Sequence, residues 1–123
     1  MATLNDRVFD NGLTVLDTEA NKILITSQEA TTYTEGNATY ALGNSTSLSI
    51  GAPQNRSGGG REVVVAAITD GAVTATGTAT HYAIVDTVNS RLLATGSLTA
   101  SQAVTSGNTF TLSSVAIGIP DPA

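Results

Sequence analysis

The sequence predicts an all-β protein, a single-domain antiparallel β-sandwich or jelly-roll-like fold of about eight short strands. Three observations predict it. Apolar and polar residues alternate over short runs, the period of a strand with one buried face. Turn-forming pairs, Gly36-Asn37, Gly43-Asn44, Asp70-Gly71 and Gly107-Asn108, punctuate those runs. Ser and Thr make up 31 of 123 residues and charged residues only 12%, which is too apolar for disorder and too poor in Leu, Glu and Lys for a helical bundle.

The elements follow in chain order. Residues 1–12 form an N-terminal arm in which one short helical turn over residues 4–10 is allowed, residues 13–119 form the β-sandwich domain, and residues 120–123 form a tail closed by Pro120-Asp121-Pro122. Leu13-Thr14-Val15-Leu16 and Lys22-Ile23-Leu24-Ile25-Thr26 read as two strands joined by a hairpin loop at residues 17–21. Residues 27–37 are polar and Thr-rich, a loop or poorly buried strand. Residues 39–42 read as a strand, Gly43-Asn44 as a turn, and Ser47-Leu48-Ser49-Ile50 as a cleanly alternating strand. Residues 51–60, with Pro53 and Ser57-Gly58-Gly59-Gly60, are the one flexible stretch, because glycine backbone costs the most entropy to order.

Residues 61–69 contain Val63, Val64 and Val65 in succession and form the strongest strand, covered on both faces. Asp70-Gly71 suits a two-residue hairpin, returning through the small residues of 73–80. His81-Tyr82-Ala83-Ile84-Val85-Asp86 and Arg91-Leu92-Leu93-Ala94-Thr95 are strands around a loop at 87–90. Residues 96–107 read as polar connector, and Thr109-Phe110-Thr111-Leu112 and Val115-Ala116-Ile117-Gly118-Ile119 close the domain.

Charge and composition limit function. The net charge is −5, and Arg7, Lys22, Arg56, Arg61 and Arg91 are scattered singly. Nucleic-acid binding draws on clustered Lys and Arg, so no nucleic-acid partner is expected. Cysteine is absent, which excludes a disulfide framework and a thiolate metal site. No apolar run approaches the roughly 18 residues that span a bilayer, and the first residues lack a secretory signal pattern. The expectation is no membrane association and synthesis in a host cytoplasm. The triplets beginning at Asn37, Asn44 and Asn55 match the glycosylation pattern as by-products of Ser/Thr richness.

No catalytic, cofactor or metal site is expected, and the chain is read as not an enzyme. His81 is the one histidine; Ser90 and Asp86 stand near it in sequence, but no Gly-x-Ser-x-Gly accompanies them. Asp6, Asp10, Asp17 and Glu19 lack the spacing of a calcium loop and read as solvated charge. The candidate residues are instead partner contacts: Tyr33 and Tyr40 in the Thr-rich segment, and Ser57, Gly58, Gly59, Gly60 and Arg61 as an adaptable loop. The glycine run is followed by Arg61-Glu62 rather than Lys-Ser/Thr, which argues against a phosphate cradle. Uncharged Thr and Ser faces on a weakly charged chain suit packing against neighbouring subunits, since few charged edges block association.

Residues 82–86, 92–98 and 104–112, together with residues 23–34 and 40–44, resemble small β-rich virion proteins of tailed bacteriophages. The resemblance implies a structural protein of the particle and no catalytic residues. The roles it offers are capsid decoration (cement) on the outer head surface, a tail or neck component, or a host-glycan-binding fibre-associated module. An acidic chain suits the outer surface better than the inner one, which meets packaged DNA. Decoration therefore ranks first, with the major capsid protein and copies of itself as partners.

Overall fold

The computed structural model describes residues 6–119. Among them are nine strands, all paired antiparallel, in a six-stranded and a three-stranded sheet. The all-β expectation holds at that level. The chain divides into two compact units: the described residues of the first lie in 6–19, 49–67 and 113–119, those of the second in 20–48 and 68–112.

In the first unit, helix α1 (Asp6–Glu19) accompanies a three-stranded sheet in the order β3-β4-β9, made of β3 (Gln54–Asn55), β4 (Arg61–Val65) and β9 (Val115–Ile119). Leu13 and Leu16 are one helical turn apart and both buried, whereas Val15 between them is exposed. The strand expected over residues 13–16, and residues 17–19 of the hairpin loop expected after it, are therefore corrected to helix. Leu13 and Leu16 are an i, i+3 apolar pair, and with Val15 between them they imitate a period-2 run. The helix lies on the face that carries Val63, Val65 and Ile119: a Cβ at Gly12 would stand 3.6 Å from Ile119 Cδ1, and Val63 and Val65 are buried. Residues 1–5 of the expected arm and the tail at 120–123 lie outside the described residues.

The second unit is the six-stranded sheet, in the order β7-β6-β1-β2-β5-β8. Its strands are β1 (Lys22–Thr26), β2 (Ala41–Ser45), β5 (Ile68–Val73), β6 (Gly77–Asp86), β7 (Arg91–Val104) and β8 (Thr109–Leu112). A π-helical turn at Glu35–Thr39 joins β1 to β2 where a loop or weak strand was expected. Central β1 pairs with β6 on one side and β2 on the other, and Ile23, Leu24 and Ile25 are all buried. Leu42, Ile68, Val73, Ala79, Tyr82, Ala83, Ile84, Val85, Phe110 and Leu112 extend the apolar interior of this unit.

Several expected turns lie inside strands. Gly43 and Asn44 pair with Val73 and Ala72 in the β2–β5 ladder, and Asp70-Gly71 belongs to β5. The glycines are there for packing. A Cβ on Gly71 would overlap the Phe110 ring, its partner across the β5–β8 ladder, and a Cβ on Gly43 would stand 3.0 Å from the same ring. Tyr82 lies in the same way over its cross-strand partner Gly96, where a Cβ would stand 2.5 Å from Cε2. Gly96 sits within β7, so the connector expected over residues 96–107 is strand as far as Val104. The run expected over 47–50 contributes only a single bridge, Ile50 to Val65, and the run over 61–69 is two strands, broken after Val65.

The two outer strands of the large sheet meet at one place. Gln102 of β7 donates from Nε2 to the Thr111 carbonyl of β8 at 2.9 Å. Strands five spacings apart in a flat sheet would be separated by about 24 Å, so the sheet curls at this end. The link is a side-chain bond rather than a ladder, and the sheet remains open.

The ring-on-glycine packing makes a direct prediction. Gly71→Ala and Gly96→Val each force a buried ring aside and destabilise the protein by about 1–3 kcal/mol. Ala72→Ser, on the exposed face of the same strand, leaves stability within about 0.5 kcal/mol. Chemical denaturation of the three variants checks this, and equal stability for Gly71→Ala and Ala72→Ser contradicts it.

Candidate functional site

Tyr33 and Tyr40 flank the π-helical turn in the second unit, and both are half-buried rather than fully presented. Gly36 is buried beneath that turn; a Cβ there would meet Ala83 at 3.2 Å and Leu92 at 3.3 Å, so glycine lets the turn settle on β6 and β7. Glu35 organises the segment. Its Oε1 accepts from the Thr31 backbone N–H at 2.9 Å and the Thr31 hydroxyl at 2.7 Å, and its Oε2 accepts from the Tyr40 hydroxyl at 3.2 Å. These donors, the Thr31 hydroxyl foremost, hold the Glu35 carboxyl below its ordinary value. Lys22 Nζ donates to Asn37 Oδ1 at 3.1 Å and ties the turn to β1. Tyr40 is thereby committed to internal bonding, and Tyr33 keeps a partly open ring.

Ser57, Gly58, Gly59, Gly60 and Arg61 belong to the first unit, in the β3–β4 hairpin. Gly58, Gly59 and Gly60 take φ of 88°, 105° and 92°, which only glycine adopts without strain. The loop is internally bonded. Arg56 N–H donates to the Gly60 carbonyl and Gly59 N–H to the Arg56 carbonyl, both at 3.1 Å. The Arg56 guanidinium donates to the Gly59 carbonyl at 3.1 Å, and Arg61 donates to Asn55 Oδ1 at 2.8 Å and to the Pro53 carbonyl at 3.2 Å. What reads in sequence as a slack loop is a turn strapped by two arginines. Ser57 and Gly58 at its tip are exposed.

His81 lies on β6 opposite Thr26 and Ser97. The Thr80 hydroxyl donates to the Ser27 carbonyl at 2.9 Å and stands 2.8 Å from His81 Nδ1, linking the imidazole to the end of β1. Asp86 stands five residues further along the same strand, about 17 Å away, and cannot orient this histidine.

Asp86 is instead the keystone of the β6–β7 turn. Its Oδ1 accepts from Val88 N–H at 2.9 Å and Asn89 N–H at 3.3 Å, and its Oδ2 accepts from Asn89 Nδ2 at 2.8 Å. Ser90 closes that turn with φ of 56°. A further carboxylate, Asp70, accepts from the Ser47 hydroxyl at 3.1 Å and the Ser45 hydroxyl at 3.5 Å. Among the described residues no group of three or more His, Cys, Asp or Glu side chains is placed to hold a metal ion. Among the described residues the buried hydroxyl Thr26 Oγ1 has no hydrogen-bond partner.

Among the described residues β7 has no partner strand on its outer side, and it carries no charge after Arg91. Its register with β6 breaks twice: Leu93 is an extra residue, and residues 98–101 face Thr80 alone. β8 and β9 are also outer strands and hold no charged residue. The sequence singled out loops and tyrosines and missed these edges, because strand order is not written in local pattern. The chain matches no protein-family model, no curated protein and no solved structure.

The Asp86 turn predicts a pH dependence. The Asn89 side chain, then the backbone N–H groups of Asn89 and Val88, and Arg91 hold the Asp86 carboxyl below its ordinary 3.8. A carboxyl bound more tightly when ionised contributes stability that is complete above the ordinary value and disappears as pH falls through the lower folded value. Thermal unfolding followed from neutral pH into the acid range is expected to show a falling midpoint below about pH 4, and Asp86→Asn is expected to shallow that fall. An unchanged acid slope in the variant would remove Asp86 from the account.

Proposed function

We propose that this chain is a structural subunit of a bacteriophage particle, a capsid decoration protein that docks on the outer head surface and associates with copies of itself. The observation that carries the reading is the state of the outer strands. β9, and β7 after Arg91 and β8 apart from their Gln102–Thr111 link, are uncharged, so these outer strands can approach another protein without stripping water from charged groups. The phage setting comes from the resemblance of residues 23–34, 40–44, 82–86, 92–98 and 104–112 to virion proteins of tailed phages. The net charge of −5 favours an outer position over one facing packaged DNA. Many copies with modest contacts each would strengthen a shell through multivalency. The β-sandwich or jelly-roll-like form of the fold is part of the same proposal.

A tail or neck component is the second reading, and the same uncharged edges serve it. Copy number separates the two. Quantitative mass spectrometry of purified particles is expected to find this chain in many copies at a simple ratio to the major capsid protein, and particles lacking it are expected to lose DNA at a lower temperature. A few copies per particle would assign it to the tail or neck. Wild-type heat resistance in particles without it would end the decoration reading.

A further inference from the structure

We infer that β9 is a self-pairing edge, through which two copies of this chain join their three-stranded sheets into one antiparallel sheet about a twofold axis at Ile117. The inference specifies the surface behind the self-association just proposed and rests on that reading.

The outer strands differ in how open they are. β7 is interrupted by two register breaks, the device that blunts an edge against strand addition. β8 has the Thr111 carbonyl taken by Gln102, and β3 is two residues long. β9 pairs with β4 over five consecutive residues without a break, and among the described residues its other side has no partner strand.

The ladder fixes which backbone groups point outward. On the far side of β4, Gly51 N–H donates to the Val64 carbonyl and Ala66 N–H to the Ser49 carbonyl. Val64 therefore faces away from β9, and Val63 and Val65 face towards it, since direction alternates along an antiparallel strand. Their partners Ile117 and Val115 spend their backbone groups on β4. The N–H and C=O of Ala116 and Gly118 point out of the sheet edge.

The sequence of β9 maps onto itself when reversed about Ile117. Val115 then opposes Ile119 of the second copy, and Ala116 opposes Gly118. Apolar meets apolar on the helix-facing side, where Val115 and Ile117 are half-buried and Ile119 is exposed; on the other side Ala116 of one copy meets Gly118 of the other, beside the Arg56 side chain that lies over Gly118. The outward groups of Ala116 and Gly118 form hydrogen-bonded pairs, and the two Ile117 residues form a non-hydrogen-bonded pair with Cα atoms about 4.5 Å apart. The strand itself, Val115–Ile119, brings no charge into the contact, and the one cation beside it, Arg56 over Gly118, meets the small Ala116 of the second copy rather than a like charge on that strand.

Two variants of the full chain test this without phage particles, so failure here leaves docking on the shell as a separate question. Ala116→Pro deletes one outward N–H and leaves the β4 ladder intact, and proline is tolerated at such edge positions. Sedimentation equilibrium is expected to show a dimer for the wild type and at least about tenfold weaker association for Ala116→Pro, with an unchanged far-ultraviolet spectrum. Ile117→Cys supplies the protein's one thiol and is expected to give a disulfide-linked dimer on mild oxidation, while Val88→Cys, on the exposed β6–β7 turn, still associates but forms no disulfide across the pair under the same conditions. A larger assembly that crosslinks through Ile117→Cys also supports the pairing. A wild-type monomer at all concentrations overturns it, as does a dimer that Ala116→Pro leaves intact or that Ile117→Cys fails to crosslink.

Discussion

Two aromatic rings laid flat on glycine backbone hold the six-stranded sheet in shape. Phe110 of β8 covers Gly71 on β5 and reaches Gly43 on β2, so one ring spans three adjacent strands. Tyr82 of β6 covers Gly96 on β7 at the other end of the strand order. A ring can lie this close to a strand only where the neighbour has no side chain. The contact buries most of the aromatic area and fixes register, because a slip of one residue would bring a Cβ into the ring. Burial also raises the Tyr82 hydroxyl above its ordinary value. Between these clamps, β1 contributes the buried run Ile23-Leu24-Ile25, and the curl of the sheet brings Gln102 to Thr111.

The polar groups that could have suggested chemistry are engaged in building turns. Glu35 orders the segment between β1 and β2, Asp86 closes the β6–β7 turn, and Arg56 and Arg61 strap the glycine hairpin. His81 Nδ1 contacts the Thr80 hydroxyl, and the ring is beyond the reach of Asp86, the carboxylate named beside it in sequence.

The glycines illustrate how sequence and structure part company. Asp70-Gly71 and Gly43-Asn44 have the composition of tight turns, and read locally they are indistinguishable from Gly107-Asn108, which does turn, with Gly107 at φ of 92°. The difference lies in Phe110, about 40 residues downstream of Gly71, whose ring requires the missing side chain. Helix α1 was obscured by a similar ambiguity. Leu13, Val15 and Leu16 support a strand when read in isolation, whereas Phe9, Leu13 and Leu16 at i, i+4 and i+7 support a helix, and that longer window carried the signal.

What the sequence determined by itself was the antiparallel β character and the bounds of β1, β8 and β9, each a short alternating or apolar run between turn residues. Local propensity suffices there because the pattern is set by which side chains must leave water. Strand order, the reach of β7 beyond Gly96, and the exposure of one unbroken neutral edge at β9 were decided only by the tertiary structure. They depend on pairing between residues distant along the chain, and the free energy that selects one pairing over another comes from ring-on-backbone packing and buried area that no short window contains.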